Sequence, residues 1–133
     1  MQRAVADTHT LIWYLYGDPR LSARGRTFID DTAAAGDEIL FSSITLAEIV
    51  YLAEKGRIPA TTLDYVVHVA LQDPAVFVEV PVDRYIARAM RQVERAQVPD
   101  FPDRIIAATA AEAGLPVISR DGRIRLSTVP TIW

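Results

Sequence analysis

The chain alternates short β-branched or aliphatic runs with longer stretches in which apolar residues recur every three or four positions. These are the two periods that separate strands from helices. Val5-Ala6 reads as a short buried strand ending at the polar Asp7. The next segment sets Leu11, Ile12 and Leu15 on one helical face and closes at Gly17-Asp18-Pro19, a cluster of turn formers. A second helix is predicted from Ser22 to Ala35, stopped by Gly36. Ile39-Leu40-Phe41 gives a second strand, after which Ser42 and Ser43 lead into a helix near Thr45 to Glu54, ended by Gly56. Pro59 to Leu71 is helical, with Asp73-Pro74 as the break. Val76 to Val80 is strand-like, and Asp83 to Ala96 reads as one long helix. Beyond Pro99 and Pro102, Arg104 to Ala113 is helical up to Gly114, Pro116-Val117-Ile118 forms a fourth strand, and Ile132 with its neighbours a fifth. Strands alternating with helices at this spacing imply parallel βαβ units, hence a three-layer α/β/α domain with a mostly parallel sheet of four to five strands.

Composition narrows this picture. At 133 residues, half of them apolar, the chain matches one globular domain spanning 1–133, with no repeat or linker. There is no cysteine, which removes disulfides and thiolate metal sites. The start lacks the long apolar run of a signal peptide, and the most apolar long segment, Ile39 to Ala53, is interrupted by Glu48 and too short to span a bilayer. A soluble, cytoplasmic protein is expected. The formal charge of −3 argues at first against a nucleic-acid partner. The cations, however, are one lysine (Lys55) and 13 arginines, and arginine both grips phosphate in a bidentate way and stacks on bases. Ordinary solvated arginines would also account for most of them.

Four acidic residues fall where chemistry would be expected. In an open parallel sheet, ligands bind beyond the carboxyl ends of the strands. Asp7 directly follows the first strand, and Asp121 lies just past the strand ending near Ser119. Glu48 and Asp103 fall in the first turns of helices that start at the same edge. With these four carboxylates set aside, the remaining net charge is +1. Two like charges ~4 Å apart repel by roughly 4 kcal/mol at an effective dielectric near 20, so four together call for a cation. Hard oxygen donors without cysteine select magnesium or manganese over zinc. Each residue also has a plainer role open to it. Asp7 fits a helix N-cap, Thr45-x-x-Glu48 a capping box, Asp100 or Asp103 a cap for the Pro102 helix, and Asp121-Gly122 a turn.

Five segments together match a known family. Val5-Ala6-Asp7-Thr8-His9-Thr10-Leu11-Ile12-Trp13 resembles the opening of PIN domains, in particular the toxin ribonucleases of VapBC-type toxin–antitoxin pairs. Asp18-Pro19-Arg20-Leu21-Ser22 looks like the following family segment, and Ser42-x-x-Thr45-x-x-Glu48-Ile49 is similar to the second motif. Asp103-Arg104-Ile105-Ile106-Ala107-Ala108-Thr109-Ala110 resembles the third, and Ser119-Arg120-Asp121 the last. The resemblance implies a PIN fold, Mg²⁺- or Mn²⁺-dependent cleavage of RNA, a homodimer and a small VapB-type antitoxin. It also implies that Asp7, Glu48 and Asp103 are the principal acidic residues and Asp121 a more variable fourth. Thr8, Ser42 and Ser119 would be supporting polar groups. Asp100 is an extra carboxylate to which the pattern gives no role.

Other residues and functions complete the expectations. Arg104, Arg120, Arg123 and Arg125 are candidates for phosphate contacts with RNA. His9 is read as a surface or supporting residue, His68 as structural, and Trp13 as packed in the core or in a dimer contact. The alternatives are a PIN nuclease acting in RNA maturation and a magnesium-binding phosphoacceptor signalling domain. The second would need a lysine near the last strand, and the chain has none after Lys55.

Overall fold

The computed structural model describes residues 1–125 and 127–133. Five parallel strands form one sheet: β1 (Gln2–Ala6), β2 (Glu38–Ser42), β3 (Phe77–Val80), β4 (Val117–Ile118) and β5 (Thr131–Ile132), in the order β3-β2-β1-β4-β5. Between them run α1 (Thr8–Leu15), α2 (Ala23–Ala34), α3 (Ile44–Glu54), α4 (Thr62–Ala70), α5 (Arg84–Ala89), α6 (Phe101–Ala113) and the single turn α7 (Gly122–Arg125). Every strand predicted from the pattern is present. Among the described residues, no helix is long and apolar enough to cross a membrane.

Alternation along the strands divides the core into two layers. Ala4 and Ala6 of β1, Ile39 and Phe41 of β2 and Ile118 of β4 pack with apolar residues of α1 to α4. Val5, Leu40 and Val117, one residue out of phase, pack with α5, α6 and α7. Successive strand side chains point to opposite faces, so a sheet covered on both sides has to be apolar at both phases, as these strands are. The chain winds outward from β1 to β3 with its helices on one face, then crosses to β4 with α5 and α6 on the other. This reversal puts a topological switch between β1 and β4, where open α/β sheets bind ligands. The seam is short, with Val5 paired to Val117 and Ala6 to Ile118.

Four helices depart from expectation. Helix α6 starts at Phe101 and not Arg104, since Pro102 suits a first turn, and the single turn α7 stands where only a turn was expected. Two others differ more. Pro59 to Thr61 forms a turn, so α4 starts only at Thr62, whose hydroxyl donates to the Pro59 carbonyl at 2.7 Å. The long helix expected over Asp83 to Ala96 is in fact α5 followed by one 3₁₀ turn, Met90–Gln92, and irregular chain. The cause is distant in sequence. Arg104 on α6 donates through Nε to the Val93 carbonyl and through Nη2 to the Met90 carbonyl, both at 2.9 Å. The Val93 carbonyl lies past the end of the helical turn, and that of Met90 also accepts the Val93 N–H at 3.1 Å.

Replacing Arg104 by Met keeps the length of the side chain and removes both charge-assisted bonds. Urea unfolding should show a loss of about 2 kcal/mol, and Arg104→Lys should recover little because it lacks the fork. A loss below about 0.5 kcal/mol would mean that these bonds do not hold the segment.

Candidate active site

The acidic residues reach one place from four different elements. Asp7 directly follows β1 and caps α1, its Oδ1 accepting the Thr10 N–H at 2.9 Å. The cap and the functional role are thus compatible: Asp7 is only 8 % exposed and also lines a pit of about 370 Å³. Glu48, Asp103 and Asp121 line the same pit, and so does Asp100.

Glu48 overturns its plainer reading. The helix begins at Ile44 with Ser43 as its cap, so Glu48 lies two positions beyond the residue that would close a capping box. Its Oε1 instead accepts the Thr8 hydroxyl at 2.5 Å. Thr8 has a single proton and spends it there, so Thr45 donates in the 3.0 Å contact between the two threonines. The chain Thr45 to Thr8 to Glu48 ties α1 to α3 and aims the carboxylate.

The remaining acids sit on helix starts. Asp100 caps α6, accepting the Asp103 N–H at 3.3 Å, and Pro102 lies in the first turn, where its missing N–H costs nothing. Asp121 accepts the N–H groups of Arg123 at 2.8 Å and Ile124 at 3.2 Å, and its own N–H donates to Ser119 Oγ at 2.9 Å. Both the turn role and the place in the pit hold for Asp121. Ser119 is fully buried, and its hydroxyl also supports the Asp7 carboxylate. Ser42 does something else: its Oγ accepts the Ile44 N–H at 3.1 Å and turns β2 into α3, away from the pit lining.

Crowding shows in the proton affinities. Burial pushes the Asp7 carboxyl up, against the hydrogen bonds from Ser119 and Thr10. Burial also raises Glu48, with the Thr8 bond opposing and the charges of Asp100 and Asp7 adding to the rise. Asp103 is pushed up to about 8, first by burial, then by the charges of Asp121 and Asp100, a hydrogen bond with Asp121 and the charge of Asp7. The donor set is all oxygen apart from the nearby His9, which suits a hard divalent cation. Among the described residues, no three His, Asp or Glu side chains already stand close enough to clasp one ion.

Of the four arginines suggested for phosphate contacts, only Arg120 lines the pit. Arg104 is committed to the carbonyls of Met90 and Val93, and Arg123 and Arg125 lie outside the lining. Arg20 takes the place that sequence reasoning gave to others. Its guanidinium carbon lies 5.1 Å from the centre of the Trp13 ring and that of Arg120 lies 4.8 Å away. Trp13 is 5 % exposed and belongs to the core, yet its edge also lines the pit, where it meets His9 with ring centres 5.5 Å apart. The four-residue spacing of His9 and Trp13 on one helix was the available signal; nothing local announced Arg20. His68 is at the surface, its carbonyl accepting the Gln72 amide at 3.0 Å.

Comparison with known proteins now gives this arrangement a class. A profile of the PIN domain family matches residues 4–128, and the chain belongs to that family, whose members are nucleases. Membership sets aside the phosphoacceptor alternative. Among solved structures, VapBC2 from Rickettsia felis bound to a DNA fragment from its promoter superposes with a TM-score of 0.71 at 14 % identity, covering 98 % of this chain and 97 % of that one. FitAcB from Neisseria gonorrhoeae gives 0.64 at 23 %, covering 98 % and 96 %. A toxin–antitoxin complex from Klebsiella pneumoniae gives 0.63 at 22 %, again covering 98 % and 96 %. At these identities the likeness is one of fold. No curated protein matches the sequence.

The raised Asp103 fixes the sign of a pH dependence. Its carboxyl moves from 3.8 to about 8 on folding, so the folded form holds the proton more tightly. The associated stability is fully present below the lower value and is lost as pH rises through the upper one. In chelator, the melting temperature should therefore fall between pH 4 and pH 8, and Asp103→Asn should flatten the fall and melt above the parent at pH 8. A parent and variant with parallel profiles would contradict the crowding.

Proposed function

We propose that the protein is a divalent-metal-dependent endoribonuclease and the toxin of a VapBC-type toxin–antitoxin pair, with residues 1–133 acting as one catalytic domain. The observation that carries this reading is the meeting of Asp7, Glu48, Asp103 and Asp121 in one pit at the switch point of the sheet. These four would hold Mg²⁺ or Mn²⁺, which when bound supplies an activated water and offsets charge on a phosphodiester.

The rest follows from the chain's own groups. Thr8, itself fed by Thr45, holds Glu48 in position, and the Thr10 N–H fixes Asp7. With its carboxyl near 8, Asp103 keeps a proton close to neutral pH until a cation makes giving it up favourable. Arg20 and Arg120, both at the pit and both over Trp13, bring cations to an otherwise acidic opening where a phosphate must approach. Support for the toxin branch comes from the fold shared with the VapBC and FitAB complexes across nearly the whole chain. The proposal includes a homodimer, a VapB-type antitoxin partner and a cytoplasmic location.

The test is cleavage of an RNA pool by purified protein with Mg²⁺ or Mn²⁺ and with chelator. Cutting should need the cation. Asp103→Asn or Asp7→Asn should lower the rate at least about 100-fold, with circular dichroism unchanged, and Asp121→Asn should cost less. Asp103→Asn cutting at the parent rate would remove the assignment.

A further inference from the structure

Beside the acidic pit lies a second cavity of about 500 Å³. The two share His9, Trp13 and Arg20 as a common wall. Their characters are opposed. Beyond the shared wall, the second cavity is lined by Ile12, Leu52, Ile58 and Pro59, with Tyr16 beside them. Its charged residues are Asp18, Arg20 and Arg57. Asp18 is matched by Arg20, whose Nε and Nη2 donate to its two oxygens at 3.1 and 2.7 Å. The charge left over is therefore that of the exposed Arg57.

We propose that this cavity is a nucleobase subsite, taking the base of a nucleotide adjoining the phosphodiester held at the pit; the proposal rests on the nuclease reading above. A nucleotide presents a flat apolar face and an anionic phosphate, and the cavity offers apolar walls, an aromatic edge and an unmatched cation. Its volume lies within the roughly 300–1,000 Å³ of small-ligand pockets. Arg20 is the residue that joins the two spaces. The ion pair with Asp18 and the Trp13 ring below it hold its guanidinium in place, so little ordering remains to be done on binding. Its plane is a stacking surface for a base, and among the described residues its Nη1 has no hydrogen-bond partner. A strand lying across the pit thus meets, one residue along, a wall built for the other half of a nucleotide. A peptide with an apolar side chain in the cavity and a basic one turned to the five carboxylates of the adjoining pit is the competing occupant, favoured if no abasic position weakens RNA binding.

The test uses the full chain and labelled hexaribonucleotides in which a single abasic residue is walked along the sequence. Binding is read by fluorescence anisotropy in Ca²⁺, an oxygen-seeking cation that offsets the charge of the pit, and cleavage in Mg²⁺. At one position the abasic residue should weaken binding at least about tenfold. Ile58→Trp, which fills the cavity without touching the pit, should reduce that penalty to under about twofold. Arg57→Ala is an exposed change that serves even if the larger one fails to fold. It should weaken binding and lower the salt slope by about 0.7. The proposal fails if no position is sensitive to base removal, if Ile58→Trp leaves the sensitivity intact, or if Arg57→Ala binds like the parent. Base-dependent binding without cutting would sink the nuclease reading and leave the subsite standing. Cutting without base dependence would do the reverse.

Discussion

Like-charge repulsion governs this molecule. Five carboxylates border one small pit, against two arginines, Arg20 and Arg120, in its lining. The surrounding backbone brings the carboxylates together. Asp7, Asp100 and Asp121 are each fixed by N–H groups at the start of a helix, where partial positive charge accumulates and negative side chains are favoured. Glu48 is fixed by a hydroxyl relay. Asp103 shares a hydrogen bond with Asp121, and burial together with the charges of Asp121, Asp100 and Asp7 pushes its carboxyl up to about 8. The folding energy of the two apolar layers holds the charges in place, and the tension shows in three carboxyls, those of Asp7, Glu48 and Asp103.

The same caps answer why the plain and the functional roles of these residues could not be separated from the sequence. An Asp that ends a strand and starts a helix satisfies the helix with one oxygen. In a parallel sheet it thereby also places the carboxylate at the ligand-binding edge. For Asp7 and Asp121 the two descriptions are one geometry. Glu48 offered a real choice, decided by the start of α3 at Ile44, and so did the cap of α6, which fell to Asp100 and left Asp103 to the pit.

Much of the fold could be read along the chain. Strand positions at both phases of β1, β2 and β4 are apolar, which announces a sheet covered on two faces, and glycine or proline marks most breaks. The chain beyond α5 was opaque because its cause is an arginine on another helix that takes the carbonyls of Met90 and Val93. The rim of the pit was opaque for a related reason. Arg20 reaches it through an ion pair two residues away and a ring seven residues back, and no periodicity encodes that combination. Conversely, Arg104 sits beside Asp103 in sequence yet faces the other way, which is why neighbourhood along the chain overstated its part in the site.

The seam between β1 and β4 has a consequence for how such a protein wears out. Only two residue pairs join the halves of the sheet, and Asp7 lies on one side of that joint with Ser119 and Asp121 on the other. The apolar layers close over that joint on both faces, with Ala6 and Ile118 in one and Val5 and Val117 in the other. Parting the acidic cluster therefore means opening the core itself, so the pit would keep its shape until the whole domain gives way.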